Sequence, residues 1–124
     1  MGEARGYGWK NIKSDNMKML VITSIRDDIR TVSRIMNKAD IPVFSVSETI
    51  GHRSAFHGLV ADNWFGSSTE GTKSLFFFSF TDDEKAANAI ELVKISNKES
   101  ETRFPIRAFV LPVERSSNEI PEGS

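Results

Sequence analysis

Cysteine is absent from this 124-residue chain, which excludes disulfides, thiolate metal sites, cysteine nucleophiles and thiol redox switches. Neither sign of charge dominates, because 16 Lys and Arg face 17 Asp and Glu and give a formal net charge of −1. That balance supplies neither the basic footprint of sequence-independent nucleic-acid binding nor a polybasic patch for anionic membranes. No apolar run approaches the roughly 20 residues that span a bilayer. We therefore expect a soluble, cytoplasmic protein with no nucleic-acid partner and no direct membrane insertion.

Apolar and aromatic residues are plentiful enough to form one core. Hydrophobic residues make up 39% of the chain, including nine Phe and two Trp. Residues 1–16 are polar and lack a clear period, so we interpret them as a flexible N-terminal arm. One domain is predicted at 17–115, and 116–124 is a C-terminal tail.

The first half of the domain predicts strand, helix, strand. Residues 17–25 are apolar and β-branched, which is typical of a strand buried on both sides. Apolar side chains recur at helical spacing over 26–38, with acidic residues at the start. The sequence Asp40-Ile41-Pro42 ends that helix, because the residue before proline avoids the α region. A second strand is expected at 43–50.

The second half repeats the pattern after a long polar segment at 51–73. Thr81 and Glu84 match the capping box, so Thr81 is the predicted N-cap of a second helix. The expected elements are a strand at 74–80, a helix at 82–95, a polar connection at 96–104 and a last strand at 106–113.

This order predicts an α+β fold: a ferredoxin-like βαββαβ sandwich with a four-stranded antiparallel sheet and two helices on one face. Both faces of the sheet are nevertheless apolar, since Phe76, Phe78 and Phe80 alternate with Leu75 and Phe77. Large uncovered apolar surfaces usually mark interfaces. We therefore expect the second face to be buried against further copies of the chain.

The last strand, Arg107-Ala-Phe-Val-Leu-Pro-Val-Glu114, resembles the closing strand of the nitrogen regulatory protein P-II family, and MKMLVITSIR from Met17 resembles its opening strand. The resemblance covers roughly residues 17–115. It implies a homotrimer whose sheets face the threefold axis, with small effectors, usually adenine nucleotides, bound between subunits. It also implies a non-catalytic signalling protein whose long loop after strand two, the T-loop, docks onto a transporter, an enzyme or a regulator.

This chain keeps only part of the family's binding motifs. Ile50-Gly51-His52-Arg53 keeps one glycine and the arginine of the family's Gly-x-Gly-Arg pattern. Where the family has Gly-Asp-Gly-Lys, this chain has Phe104-Pro105-Ile106-Arg107, which keeps the cation but loses the glycines that bring backbone N–H groups to phosphates. The effector that the resemblance implies is ATP, ADP, AMP or another small anion. The predicted ligand-binding residues are Gly51, Arg53, Lys73, Arg103 and Arg107.

The 51–73 segment is long for a loop in a compact domain, and such loops tend to be functional or disordered. Phe56, Trp64 and Phe65 are anchors of the kind that interfaces favour, so we expect partner binding here. The alternative is that these side chains fold back onto their own assembly. The only tyrosine, Tyr7, lies outside the loop, so the family's nucleotidylated tyrosine has no counterpart.

Two other function classes remain open. His52 and His57, the only histidines, could bind a divalent metal with nearby carboxylates, as in a metal-responsive trimer similar to the CutA proteins. An enzyme would need a nucleophile–base arrangement, and none is visible. The acidic pairs at 27–28 and 82–83 begin predicted helices, where the helix dipole accounts for them. We therefore predict that the protein is not an enzyme.

Overall fold

The computed structural model describes residues 16–50, 73–101 and 104–117. All strand pairs are antiparallel, and the sheet order is β2-β3-β1-β4. This is the predicted ferredoxin-like arrangement, with both helices packed on one face of the sheet. The elements are β1 (Met17–Ile25), a 3-10 turn (Arg26–Asp28), α1 (Ile29–Lys38), β2 (Ser45–Ile50), β3 (Lys73–Asp82), α2 (Asp83–Ser100) and β4 (Arg107–Pro112).

The core lies between the helices and the central strands. Leu20 and Ile22 of β1 and Phe77 of β3 are fully buried there. Val32 of α1 and Val93 of α2 pack against them in one cluster. Burying each large apolar side chain contributes about 1.5–3 kcal/mol, so this face of the sheet carries much of the stability of the single chain.

α1 ends where the sequence predicts. Backbone hydrogen bonds, as well as Pro42, terminate the helix there. Asp40 adopts a left-handed φ of 63°, and the Ile41 N–H donates to the Met36 carbonyl at 2.8 Å. This is the Schellman pattern of helix termination. The Asp40 carboxylate also pairs with Lys85 at 3.2 Å, which ties the end of α1 to the first turn of α2.

The predicted N-cap of the second helix is wrong by one residue. Asp82, not Thr81, caps α2, because its carboxylate accepts the Lys85 backbone N–H at 2.8 Å. Thr81 belongs to β3, pairs with Lys18 and is buried. Strand pairing therefore uses the residue that the sequence pattern assigned to the cap, and the neighbouring carboxylate takes over that role.

The predicted end of the second helix is also wrong. The helix continues past Ile95 to Ser100, so the first part of the expected polar connection is helical. Polar residues on the solvent side do not interrupt a helix, and Asn97 anchors its last turn on the inner side. Glu101, with φ of 51°, then ends the helix and donates its N–H to the Asn97 carbonyl at 3.3 Å.

The boundaries of the other strands shift slightly. β2 begins at Ser45, because the Val43 carbonyl accepts the Ser79 hydroxyl at 2.7 Å instead of joining the strand ladder. Lys73, which we expected in the long loop, is the first residue of β3 and pairs with Ile50. β4 starts at Arg107, one residue later than expected, since Ile106 is bound to α2.

Candidate functional site

Of the residues that the sequence proposes for ligand binding, Lys73 and Arg107 lie within the described part of the chain. The remaining predicted ligand, metal and partner residues lie outside it: Gly51, His52, Arg53, Phe56, His57, Trp64, Phe65 and Arg103.

Lys73 and Arg107 do not lie together in one chain. Lys73 is exposed and shares the helix-bearing side of the sheet with Leu75, because alternate strand residues point the same way. Arg107 pairs with Thr23 on the opposite side. The two cations are also on strands separated by β1. A single site that uses both therefore needs more than one copy of the chain.

The connection before β4 is held by a side chain that the sequence analysis missed. The Asn97 carboxamide donates to the Ile106 carbonyl at 2.8 Å and accepts the Ile106 N–H at 2.9 Å. Both backbone groups of Ile106 are thus satisfied inside the protein. Since Pro105 has no N–H, the described part of this connection, 104–106, offers no row of backbone donors to a phosphate.

Arg107 follows directly and is half-buried. Its Nε is buried and finds no hydrogen-bond partner among the described residues. The same holds for Thr49 Oγ1 at the same end of the sheet. A guanidinium can only donate hydrogen bonds. A buried donor without a partner is costly, so Arg107 stays a candidate contact for an oxygen acceptor.

A cleft of about 320 Å³ lies between α2 and β4. The polar residues among those that line it are Lys94, Asn97 and Arg107. The full lining is Ile90, Val93, Lys94, Asn97, Ile106, Arg107, Ala108 and Phe109. The described lining residues are therefore mostly apolar, with two basic residues and no Asp or Glu among them.

The free edge of β4 borders this cleft. The Val113 N–H donates to the Met17 carbonyl at 3.2 Å, so these opposite residues form a hydrogen-bonded pair. Because such pairs alternate along an antiparallel ladder, the N–H groups of Ala108 and Val110 point away from β1. Pro112 occupies the next outward position but has no N–H, and Asn97 binds that of Ile106, so the described edge keeps two outward N–H donors, those of Ala108 and Val110. Few free donors protect an edge strand from pairing with strands of other molecules.

The side of the sheet without helices is strongly apolar. Register places Phe80, Met19 and Leu111 in one row and Phe78, Val21 and Phe109 in the next. Ring contacts join Phe76 to Phe78 at 5.7 Å and Phe78 to Phe80 at 6.5 Å. Phe80 and Leu111 remain 40% and 44% exposed. We call this surface the open sheet face; it consists of Met19, Val21, Phe76, Phe78, Phe80, Phe109 and Leu111.

The strand that leads into the long loop carries an ion pair. Arg26, in the turn before α1, contacts Glu48 of β2 at 2.8 Å, and both side chains are largely exposed. An exposed pair of this kind contributes little to stability. It does fix the side-chain position of Glu48, close to the residue at which β2 ends.

Within 16–50, 73–101 and 104–117, no group of three His, Asp or Glu side chains could hold a metal ion. The described helices include none that is both long and apolar enough to cross a membrane. The predicted metal ligands His52 and His57 lie outside these ranges, so metal binding through them stays a prediction.

Comparison with known proteins shows similarity in structure but not in sequence. No family model matches the chain, and no curated protein matches it. Among solved structures, a DUF3240 family protein from Shewanella baltica OS155 has a TM-score of 0.56 at 12% identity. That alignment covers 86% of this chain and 97% of that one.

Two further solved structures are PII proteins. Arabidopsis thaliana PII bound to citrate has a TM-score of 0.57 at 17% identity, covering 80% of this chain and 78% of that one. The chain has a P-II-like fold. CPII from Thiomonas intermedia K12, bound to ADP, AMP and acetate, has a TM-score of 0.58 at 12% identity and covers 81% and 88% of the two chains. The expected P-II-like fold is thus confirmed, and at these identities the comparison shows the fold alone.

Proposed function

We propose that this P-II-like chain is a cytoplasmic regulatory protein that assembles as a homotrimer and binds a small anionic effector between subunits. Through the 51–73 segment it acts on a partner, which we expect to be a transporter or an enzyme. The observation that supports the proposal most directly is the open sheet face, whose apolar rows are covered by neither of the described helices. Arabidopsis PII and CPII, which share the fold, are described as bound to small molecules that include anions.

The open sheet face supports assembly on physical grounds. It presents aromatic and aliphatic side chains across three strands, including the exposed Phe80 and Leu111. Covering each such side chain contributes about 1.5–3 kcal/mol of apolar burial. A helix on this side would remove the need for a partner, but both helices in the described part of the chain lie on the other side.

The placement of the two described cations supports an effector site between subunits. Lys73 and Arg107 lie on opposite faces of one sheet, so only neighbouring copies could combine them. Gly51, Arg53 and Arg103 complete the proposed site from the sequence resemblance. An adenine nucleotide or another small anion is the proposed effector.

Sedimentation of the wild type and of Phe80→Glu tests the assembly. We expect the wild type to sediment as a trimer at micromolar concentration and the variant as a monomer, because a charge in an apolar interface is costly. Ile95→Glu is the matched control: Ile95 is 51% exposed on α2, away from the sheet, and should leave the trimer intact. A stable wild-type monomer would contradict the proposal.

Calorimetric titration with ATP, ADP and AMP in the presence of magnesium tests the effector. Saturable binding that Arg107→Ala weakens is the expected result. The absence of heat with all three nucleotides would turn the proposal towards another anion.

The metal-responsive alternative rests on His52 and His57. Calorimetry with zinc, copper and nickel on the wild type and on His52→Ala tests it directly, and binding that this substitution leaves unchanged would end it. The absence of enzymatic activity remains a prediction.

A further inference from the structure

We propose that residues 118–124 of the chain's own C-terminal tail add to the free edge of β4 as a fifth, antiparallel strand beside the cleft between α2 and β4. With this strand in place, β4 is no longer the edge of the sheet. The added strand leaves the open sheet face free, so this proposal and the proposed trimer can fail separately.

The β4 edge offers hydrogen-bonding groups and an apolar groove side by side. The N–H groups of Ala108 and Val110 point away from β1, and β4 is the last strand of the described sheet on that side. The side chains of both residues lie on the helix-covered side, because they pair with the buried Ile22 and Leu20. The cleft of about 320 Å³ opens there, with Ile90 of α2 in its wall. An extended segment that pairs with this edge therefore places every second side chain against the cleft.

The chain leaves β4 in a position to return along the same edge. β4 ends at Pro112, and the five residues 113–117 belong to no helix or strand. Hairpin connections commonly have two to five residues. With 113–117 as the connection, Asn118 lies opposite Pro112. The same register then continues with Ile120 opposite Val110 and Glu122 opposite Ala108.

Pro121 favours this register over its neighbours. In this register residues 118, 120 and 122 direct their N–H groups at β4, whereas 119 and 121 direct theirs away. Pro121 therefore lacks an N–H only where none is needed. A shift of one residue in either direction sets Pro121 opposite Ala108 or Val110, at a position that needs a donor. Pro121 also keeps Ile120 extended, since the residue before proline avoids the α region.

The side chains in this register match the cleft. Ile120 is the one large aliphatic residue of 118–124, and it faces Val110 and the apolar wall. Glu122 comes close to Lys94, and no Asp or Glu among the described lining residues repels it. Lys94 contacts Glu91 at 3.2 Å in an exposed pair. Such pairs are weak, so Lys94 can turn to Glu122 at little cost.

Hydrogen exchange of the Ala108 and Val110 amides, followed by NMR on the full chain, tests the fifth strand. Both amides should exchange at least about tenfold more slowly in the wild type than in Ile120→Pro, which removes an N–H directed at β4. Glu119→Pro is the matched control, because it places the same residue at the adjacent position, whose N–H points away from β4. It should keep the exchange rates within about threefold of the wild type.

Three results would overturn the proposal: unprotected Ala108 and Val110 amides in the wild type, protection that Ile120→Pro leaves unchanged, or protection that Glu119→Pro removes to the same extent as Ile120→Pro. Protection that decreases on dilution, or that Phe80→Glu abolishes, would assign the added strand to a second copy and would also overturn it. Protection that persists in a wild-type monomer would support the fifth strand while contradicting the proposed trimer.

Discussion

The two faces of the sheet have similar composition but different surroundings. On one face, Leu20, Ile22 and Phe77 are fully buried beneath the helices. On the open sheet face, Val21 of the central strand is also buried, but Phe80 and Leu111 remain 40% and 44% exposed. Strand composition therefore does not decide which face is buried in a single chain. The crossover helices decide it, since a right-handed βαβ connection places both on one side.

This difference separates two kinds of stability. Side chains on the helix-covered face should determine the folding of the chain itself, whereas those on the open sheet face should determine association. The following variants test that separation, in order of decreasing effect on the free energy of unfolding.

The largest effect should come from Phe77→Ala compared with Phe80→Ala, two identical substitutions on opposite faces of β3. We expect Phe77→Ala to lower the free energy of unfolding by about 4 kcal/mol, because it leaves a cavity in the closed core. Phe80→Ala should act mainly through association, so its effect should depend on protein concentration. Urea unfolding at two concentrations measures both. Equal, concentration-independent losses would refute the division between the faces.

Asn97→Ala should lower the free energy of unfolding by about 2 kcal/mol, since it leaves the buried N–H and carbonyl of Ile106 without partners. Asn88→Ala, an exposed position in the same helix, corrects for the higher helix propensity of alanine. The sedimentation coefficient should not change, because Asn97 acts on the helix-covered side. If both variants unfold at the same urea concentration, the two hydrogen bonds do not hold β4 to α2.

Asp82→Ala should cost about 1 kcal/mol by removing the N-cap of α2. The matched control is Asp83→Ala, in the first turn of the same helix, which keeps the capping bond. Asp82→Asn should recover most of the loss, because the amide oxygen can still accept the Lys85 N–H. Thermal unfolding followed by circular dichroism measures the three variants. A loss confined to Asp83→Ala would contradict this cap assignment.

The smallest effect should come from Asp28→Asn. Burial, and then the charge of Asp27, raises the pKa of the Asp28 carboxyl above its usual value. An acid with a raised pKa in the folded state lowers stability at neutral pH, and this cost disappears once pH falls below its unfolded pKa. The side chain makes no capping bond, so Asp28→Asn should raise stability at pH 7 by about 0.3 kcal/mol, a value reduced for solvent screening.

Urea unfolding of Asp28→Asn and wild type at pH 7 and pH 3 checks this sign. The gain should be present at pH 7 and absent at pH 3. A gain that is larger at pH 3 would show that the charge of Asp28 stabilises the start of α1 through the helix dipole.

Sequence patterns predicted the elements well where one physical preference dominates. The β-branched run of β1 has the same bounds in the structure, Met17–Ile25. The cap of α2 was predicted wrongly, because Thr81 and Asp82 are both good capping residues and only strand pairing distinguishes them. The end of α2 was predicted too early, at Ile95. Solvent-facing residues are polar in a helix and in a loop, so the residues after Ile95 did not distinguish the two.

The candidate site was less predictable. Arg107 was found through its resemblance to a family motif, but the cleft beside it was not. Asn97 left one usable signal: it continues the inward stripe of Ala86, Ala89 and Val93 at helical spacing. A polar residue in such a stripe needs a buried partner. The identity of that partner, Ile106, depends on tertiary packing that no local pattern encodes.

The sheet order has a consequence for synthesis of the protein. β1 is central, yet its partners are β3 and β4, which the ribosome adds much later. The first of these partners, β3, begins 48 residues after the end of β1 (73 − 25), which take about 2–10 s to translate at typical rates. During that interval the apolar strand Met17–Ile25 has no strand to pair with in the final sheet. We expect the nascent chain to depend on chaperones at this stage, and a sheet built from such distant pairs to fold slowly.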